Sequence, residues 1–135
     1  DTTEIPRKAC YCGRHGCMET WVSGRAFEAH YTEHKGVELK AAEIMDLKRK
    51  GDHLANLLWQ RYIDRVARGL ATVVNTLDPD VLVMGGGMSN VDELYDDLPP
   101  ALARRTFSTV FHTPILRNRH GDASGVRGAA WLWRD

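Results

Sequence analysis

All three cysteines of the chain fall within one short stretch, Cys10-Tyr11-Cys12-Gly13-Arg14-His15-Gly16-Cys17-Met18-Glu19. Gly13 and Gly16 let the backbone fold back between them. Thiolates crowded in this way call for a soft cation, and zinc held by cysteine sulfur at about 2.3 Å is the usual solution. The plainer alternative is a disulfide. Three is an odd number, however, and the spacing is tight for two partners to meet without strain. Cys10, Cys12 and Cys17 are therefore read as zinc ligands. Structural zinc is normally four-coordinate, which leaves one ligand outstanding. His15 is a candidate, but it is wedged between two ligands. The other reading is a histidine that faces solvent.

At 135 residues the chain fits one domain, 1–135, long enough to bury a real core. Hydrophobic residues make up 43% and charged residues 27%, ordinary for a globular protein. Eighteen basic side chains cancel eighteen acidic ones, so nucleic acid is not the expected partner. No apolar run approaches the roughly 20 residues that span a bilayer, so no membrane partner is expected either. Clustered reduced thiols and the lack of a signal peptide fit a cytoplasmic setting. The first residue is Asp1 rather than methionine, as expected of a processed chain or a piece of a longer one.

Residues 1–9 read as an irregular lead-in. Trp21, Phe27 and Tyr31 return at near-helical spacing, with an interruption at Ser23-Gly24. The pattern predicts a short helical turn opening at Glu19, a break, and a helix over 25–34 closed by Lys35-Gly36. A second helix is expected over 41–50, with Ile44 and Leu47 on one side and Gly51 as its stop. Asp52 then caps the longest element. From there to Thr76, Leu54, Leu58, Tyr62, Val66, Leu70, Val73 and Leu77 form one apolar stripe, widened by Trp59 and Ile63. Gly69 within it implies close approach of another element. Asp78-Pro79-Asp80 ends the helix. Val81 to Met84 reads as a strand buried on both faces that runs into Gly85-Gly86-Gly87. A helical pattern over 90–106 contains Pro99-Pro100, expected to end or kink it. A second strand is expected over 113–117 and a last helix over 124–133, with Gly128-Ala129-Ala130 giving it a smooth face. The sum is a helix-rich α/β unit with few strands.

Cys-x-Cys-Gly-x-x-Gly-Cys-x-Glu followed by Ser23-Gly24 resembles the signature of the ROK family (repressors, open reading frames and sugar kinases). Two further segments carry the same resemblance. They are Leu77-Asp78-Pro79-Asp80-Val81-Leu82-Val83-Met84-Gly85-Gly86-Gly87-Met88-Ser89 and His120-Gly121-Asp122-Ala123-Ser124-Gly125-Val126-Arg127-Gly128-Ala129-Ala130. Their wording is most similar to bacterial fructokinases of the manno(fructo)kinase type. The resemblance implies the C-terminal lobe of a sugar kinase with an actin/hexokinase-like (ribonuclease H-like) fold. It implies ATP and Mg²⁺ as cofactors beside structural Zn²⁺, a hexose substrate with fructose preferred, and a homodimer.

Glu19 is the first candidate for chemistry, because a carboxylate accepts hydrogen bonds from sugar hydroxyls. The resemblance gives it that role; otherwise it is a helix N-terminal glutamate stabilised by the local dipole. The resemblance also places adenosine against Gly85, Gly86 and Gly87, with Met88 and Ser89 nearby. Without it, the glycines are a tight strand-to-helix turn. His120 and Asp122 offer an imidazole beside a carboxylate, but side chains in an extended segment point apart, and a loop that caps the last helix is the better reading. No segment matches the family's phosphate-binding loop, its general base, or the stretch that completes its zinc site. No catalytic residue is therefore assigned within the chain. The kinase reading stands against two others: the sugar-sensing lobe of a transcriptional repressor, and a zinc-stabilised interaction module without catalysis.

Overall fold

The structure, a computed structural model, describes residues 4–108, 110–121 and 123–133. Residues 1–3 of the expected lead-in and Asp122 lie outside the described residues. The chain divides into two compact units, Asp1–Gly69 and Leu70–Asp135.

In the first unit, local chemistry sets each helix boundary. Helix α1 (Glu19–Val22) stops at Ser23, whose backbone is extended. The Ser23 hydroxyl donates to the Glu19 carbonyl at 2.7 Å and accepts from the Ala26 N–H at 3.1 Å. One side chain thus closes α1 and caps α2 (Gly24–Lys35), as serine does at an N-cap. Gly36, with φ 70°, ends α2 and returns its N–H to the Thr32 carbonyl. Helix α3 (Ala41–Arg49) takes its N-terminal cap from a neighbour: the Ala41 N–H donates to Glu28 of α2 at 3.0 Å. Asp52 caps α4 (His53–Leu77) as expected, accepting from the Ala55 N–H at 2.8 Å.

Phe27 of α2 anchors the core. It meets Trp59 and Tyr62 of α4 edge-on, at centroid distances of 6.1 and 5.6 Å. Trp59 and Tyr62 stack on each other at 5.5 Å. Such pairs add about 0.5–1.5 kcal/mol each beyond the area they bury. The predicted close approach at Gly69 is present: a Cβ there would fall 2.3 Å from the Met18 methyl. Met18 lies between Cys17 and Glu19, so this contact seats the cysteine loop on the helix.

The apolar stripe of α4 holds through Val66 and then changes. Val73 and Leu77 are exposed, Leu77 by 71%, while Ala67, Ala71 and Val74 are buried. The buried face has moved round by one residue, or about 100°.

The second unit contains a parallel strand pair, β1 (Leu82–Met84) and β2 (Ile115–Arg117), in the register Leu82–Ile115, Val83–Leu116 and Met84–Arg117. Helix α5 (Glu93–Ala103) lies between them in sequence, the crossover that a parallel pair requires. β1 departs from expectation. Leu82 is buried, but Val83 is 60% exposed, so among the described residues the strand is covered on one face only. Pro99 and Pro100 depart too, because α5 continues through both. The carbonyls that lose a donor belong to half-buried Tyr95 and exposed Asp96. Burial of Leu94, Leu98, Ala101 and Leu102 offsets the roughly 3 kcal/mol that each of the two internal prolines costs. The final helix α6 (Ser124–Trp131) is shorter than expected and exposed along its described side chains. No helix among the described residues is long and apolar enough to cross a membrane.

Candidate functional site

The cysteine loop is a tight double-back. Gly13 (φ 83°) and Gly16 (φ 74°) take the left-handed conformations that favour glycine. The Cys10 N–H donates to the Arg14 carbonyl at 2.8 Å, and the Gly13 N–H returns to Cys10 at 3.0 Å. An antiparallel bridge joins Ala9 to His15, and the Gly16 N–H donates to the Lys8 carbonyl.

These bonds bring the sulfurs of Cys10, Cys12 and Cys17 within 4.8 Å of one another, Cys12 and Cys17 at 3.5 Å. All three are free thiols. Sulfurs on a tetrahedral zinc ion would lie about 3.8 Å apart, so the donor set fits three of four zinc positions. His15 is exposed and does not join the cluster, which agrees with the solvent-facing reading. The Cys12 thiol is held below its ordinary range, chiefly by a hydrogen bond from the Arg14 backbone and then by Cys17. The Cys17 thiol, hydrogen-bonded to Cys12, is pushed up to about 11. Of these two, Cys12 gives up its proton before Cys17.

Glu19 opens α1 two residues beyond Cys17. Thr20 fixes it there, since its N–H and hydroxyl both donate to the Cys17 carbonyl, at 3.0 and 2.7 Å. The Glu19 carboxylate is exposed and makes no hydrogen bond or ion pair among the described residues. A charged acceptor with no internal partner stands on a stiff mount.

The glycine turn follows β1 directly. Gly86 has φ 77° and ψ 175°, a region nearly confined to glycine. A 3₁₀ turn (Gly87–Asn90) begins immediately after it. Gly85 and Gly87 have no positive φ, and a Cβ on any of the three would meet nothing within 4 Å. The chain itself thus explains glycine at 86 but not at 85 or 87. Met88 and Ser89 are buried. The Ser89 hydroxyl donates to the Gly86 carbonyl at 2.7 Å and accepts from Asn118 at 3.1 Å, so it latches the turn. Asn118 also donates to the Met84 carbonyl. The sequence reading missed Asn118. Its only signal was an amide side chain directly after a strand.

The pairing of His120 with Asp122 falls on Asp122, which lies outside the described residues. The His120 carbonyl accepts from Arg127 of α6, as a loop supporting the last helix would.

Two short parallel strands, a crossover helix and a helical unit seated on a three-cysteine loop make a helix-rich α/β fold that matches solved ROK hexokinase-like structures over part of their length. The chain belongs to the ROK family, whose model matches residues 2–135. It is 43% identical over 129 residues to an N-acetyl-D-glucosamine kinase of Pectobacterium carotovorum subsp. carotovorum (strain PC1), covering 96% of this chain and 42% of that protein. Among solved structures it is similar to a ROK hexokinase from Thermus thermophilus (TM-score 0.78, 34% identity), covering 92% of this chain and 42% of that one. It is also similar to a ROK family glucokinase from Streptomyces griseus in complex with glucose and AMPPNP (TM-score 0.75, 27% identity), covering 92% and 46%. The chain therefore spans less than half the length of these relatives.

Proposed function

We propose that the chain supplies the sugar-contacting and adenosine-contacting parts of an ATP-dependent hexose kinase. The observation that carries this reading is Glu19, an exposed and unpartnered carboxylate fixed to the cysteine loop. In the proposed site, Glu19 accepts hydrogen bonds from sugar hydroxyls. Cys10, Cys12 and Cys17 would hold Zn²⁺, which stabilises the loop without touching the sugar. Gly85 and Gly87 leave backbone bare where adenosine would lie, and Gly86 makes the turn that presents it. Met88 lies beneath that surface, and Ser89 acts by latching it. ATP with Mg²⁺ supplies the transferable phosphoryl group. No described residue is assigned to the phosphates, to Mg²⁺ or to the general base. In-line phosphoryl transfer depends on all three being positioned together.

The kinases among the relatives support phosphoryl transfer over sugar sensing by a repressor. For the hexose, the sequence motifs favour fructose, whereas the curated relatives are named for N-acetyl-D-glucosamine. We take N-acetyl-D-glucosamine as the preferred acceptor, with fructose as the competing reading. A cytoplasmic homodimer belongs to the same proposal and rests on the family resemblance. The test is nucleotide consumption with N-acetyl-D-glucosamine, fructose, mannose and glucose, by this chain alone and by the complete protein. The complete protein should turn over the first most efficiently, and this chain alone should show no turnover. A complete protein that binds sugar but consumes no nucleotide would return the repressor reading.

A further inference from the structure

In the first unit, the lead-in to the cysteine loop, α2 and α4 enclose a cavity of about 420 Å³. That lies within the roughly 300–1,000 Å³ of small-molecule sites. The chain is neutral overall, but this wall is not. Arg7, Lys8, Arg61 and Arg65 line it, with Glu33 the one carboxylate among the lining residues. Glu33 is committed to Lys8, both oxygens accepting from Nζ at 2.6 and 2.8 Å. Arg65 donates to Glu4 at 3.1 Å. Arg7 and Arg61 make no hydrogen bond or ion pair among the described residues, so two guanidinium forks stand open at one cavity.

A second observation comes from His30, which lines the same cavity and is only 7% exposed. Arg65 Nη1 lies 3.4 Å from His30 Nδ1. A guanidinium can only donate, so Nδ1 accepts and the imidazole proton sits on Nε2. Among the described residues that buried Nε2–H finds no acceptor. Buried donors are normally paired, and one left unpaired calls for an explanation. Trp21 holds the ring in place by stacking on it at 5.4 Å.

We propose that this cavity binds a small oxyanion of the phosphate class. Guanidinium forks match the geometry of phosphate oxygens, and the two open ones approach from different elements, Arg7 from the lead-in and Arg61 from α4. His30 offers a neutral donor deeper in the wall. Ile5, Pro6 and Leu58 add an apolar side that bare phosphate does not use, so a small phosphomonoester fits better than the free ion. None of these residues belongs to the zinc, sugar or adenosine assignments, and the inference stands apart from the kinase proposal.

The test is calorimetric titration with inorganic phosphate, glycerol 3-phosphate and sulfate at matched ionic strength, with the His30 imidazole nitrogens followed by NMR. Saturable binding is expected, tighter for glycerol 3-phosphate than for phosphate, with the Nε2 resonance shifting on the same curve. Arg61→Gln and Arg7→Gln remove guanidinium groups that make no hydrogen bond or ion pair among the described residues, so the fold should persist while affinity falls about tenfold or more. His30→Phe keeps the stacking on Trp21 and should also weaken binding. Equal affinity for phosphate and glycerol 3-phosphate would identify free phosphate as the occupant and leave the site standing. A linear, unsaturable response, or arginine variants that bind like the parent, would overturn it. So would binding of hexaglutamate when neither phosphate binds, because the cavity would then be a docking face for an acidic chain.

Discussion

Replacing the three glycines after β1 with alanine, one at a time, separates what the fold requires from what a nucleotide would require. At Gly86, φ 77° and ψ 175° place the residue where a Cβ costs about 1–3 kcal/mol whatever the surrounding space. Gly86→Ala should therefore lower stability by that amount. At Gly85 and Gly87 the backbone is ordinary and a Cβ meets no atom within 4 Å. Alanine there restricts the unfolded chain and should be neutral, or stabilising by about 0.4–1 kcal/mol. If adenosine lies against this backbone, the same methyl intrudes on it at a cost of about 1–3 kcal/mol, or one to two decades in affinity. Urea unfolding gives the first quantity. Titration of the complete protein with a fluorescent ATP analogue gives the second. Gly87→Ala should thus keep its stability and lose nucleotide. A variant that keeps both would leave glycine at 87 unexplained by a nucleotide, and the adenosine assignment would fail.

Glu19→Gln should lower sugar affinity by about one to two decades, as loss of a charge-assisted hydrogen bond does. Because the carboxylate has no partner among the described residues, stability should change by no more than the helix-dipole contribution, about 0.3–1 kcal/mol; unchanged sugar affinity in a binding titration would leave only the capping role. Zinc should be present in the chain and fall in Cys12→Ala, and it should leave more readily in acid, because the ligands must be thiolates. Metal analysis after mild chelation at two pH values checks this. Burial, followed by the charges of Lys8 and Arg65, depresses His30 to about 4 from an ordinary 6.5. The unfolded chain then binds more protons between those values, so stability should be complete above pH 6.5 and decline as pH falls toward 4. Melting temperature against pH should show that decline, and His30→Phe should flatten it.

What the sequence disclosed was chemistry that acts within a few residues. Ser23 as break and cap, Gly36 as stop, Asp52 as N-cap and the convergence of three thiols follow from short-range geometry, and the structure has each of them. Gly69 was legible for a related reason, since a helix rarely keeps a glycine without a neighbour pressed against it. What stayed hidden depends on groups distant in sequence. Val83 and Val73 look like core by composition, yet exposure is decided by which elements come to cover them. Pro99 and Pro100 look like an ending until four buried residues of α5 are seen to hold the helix through them. The pairing of Glu4 with Arg65 and Arg68 spans some sixty positions, and no local pattern announces it. His30 carries no sequence signal at all, because its meaning lies in the ring, the guanidinium and the missing acceptor around it.

The bridge from Ala9 to His15 and the bond from Gly16 to Lys8 tie the metal loop to the lead-in segment that carries Arg7 and Lys8. Two binding events that share such a tie obey thermodynamic reciprocity. If filling the thiol cluster stiffens residues 7–9 and so tightens the hold on an oxyanion, the oxyanion must raise zinc affinity by the same factor. Zinc retention measured with and without phosphate would then report on both, and the free energy linking them would be carried by a few backbone hydrogen bonds rather than by any side chain common to the two.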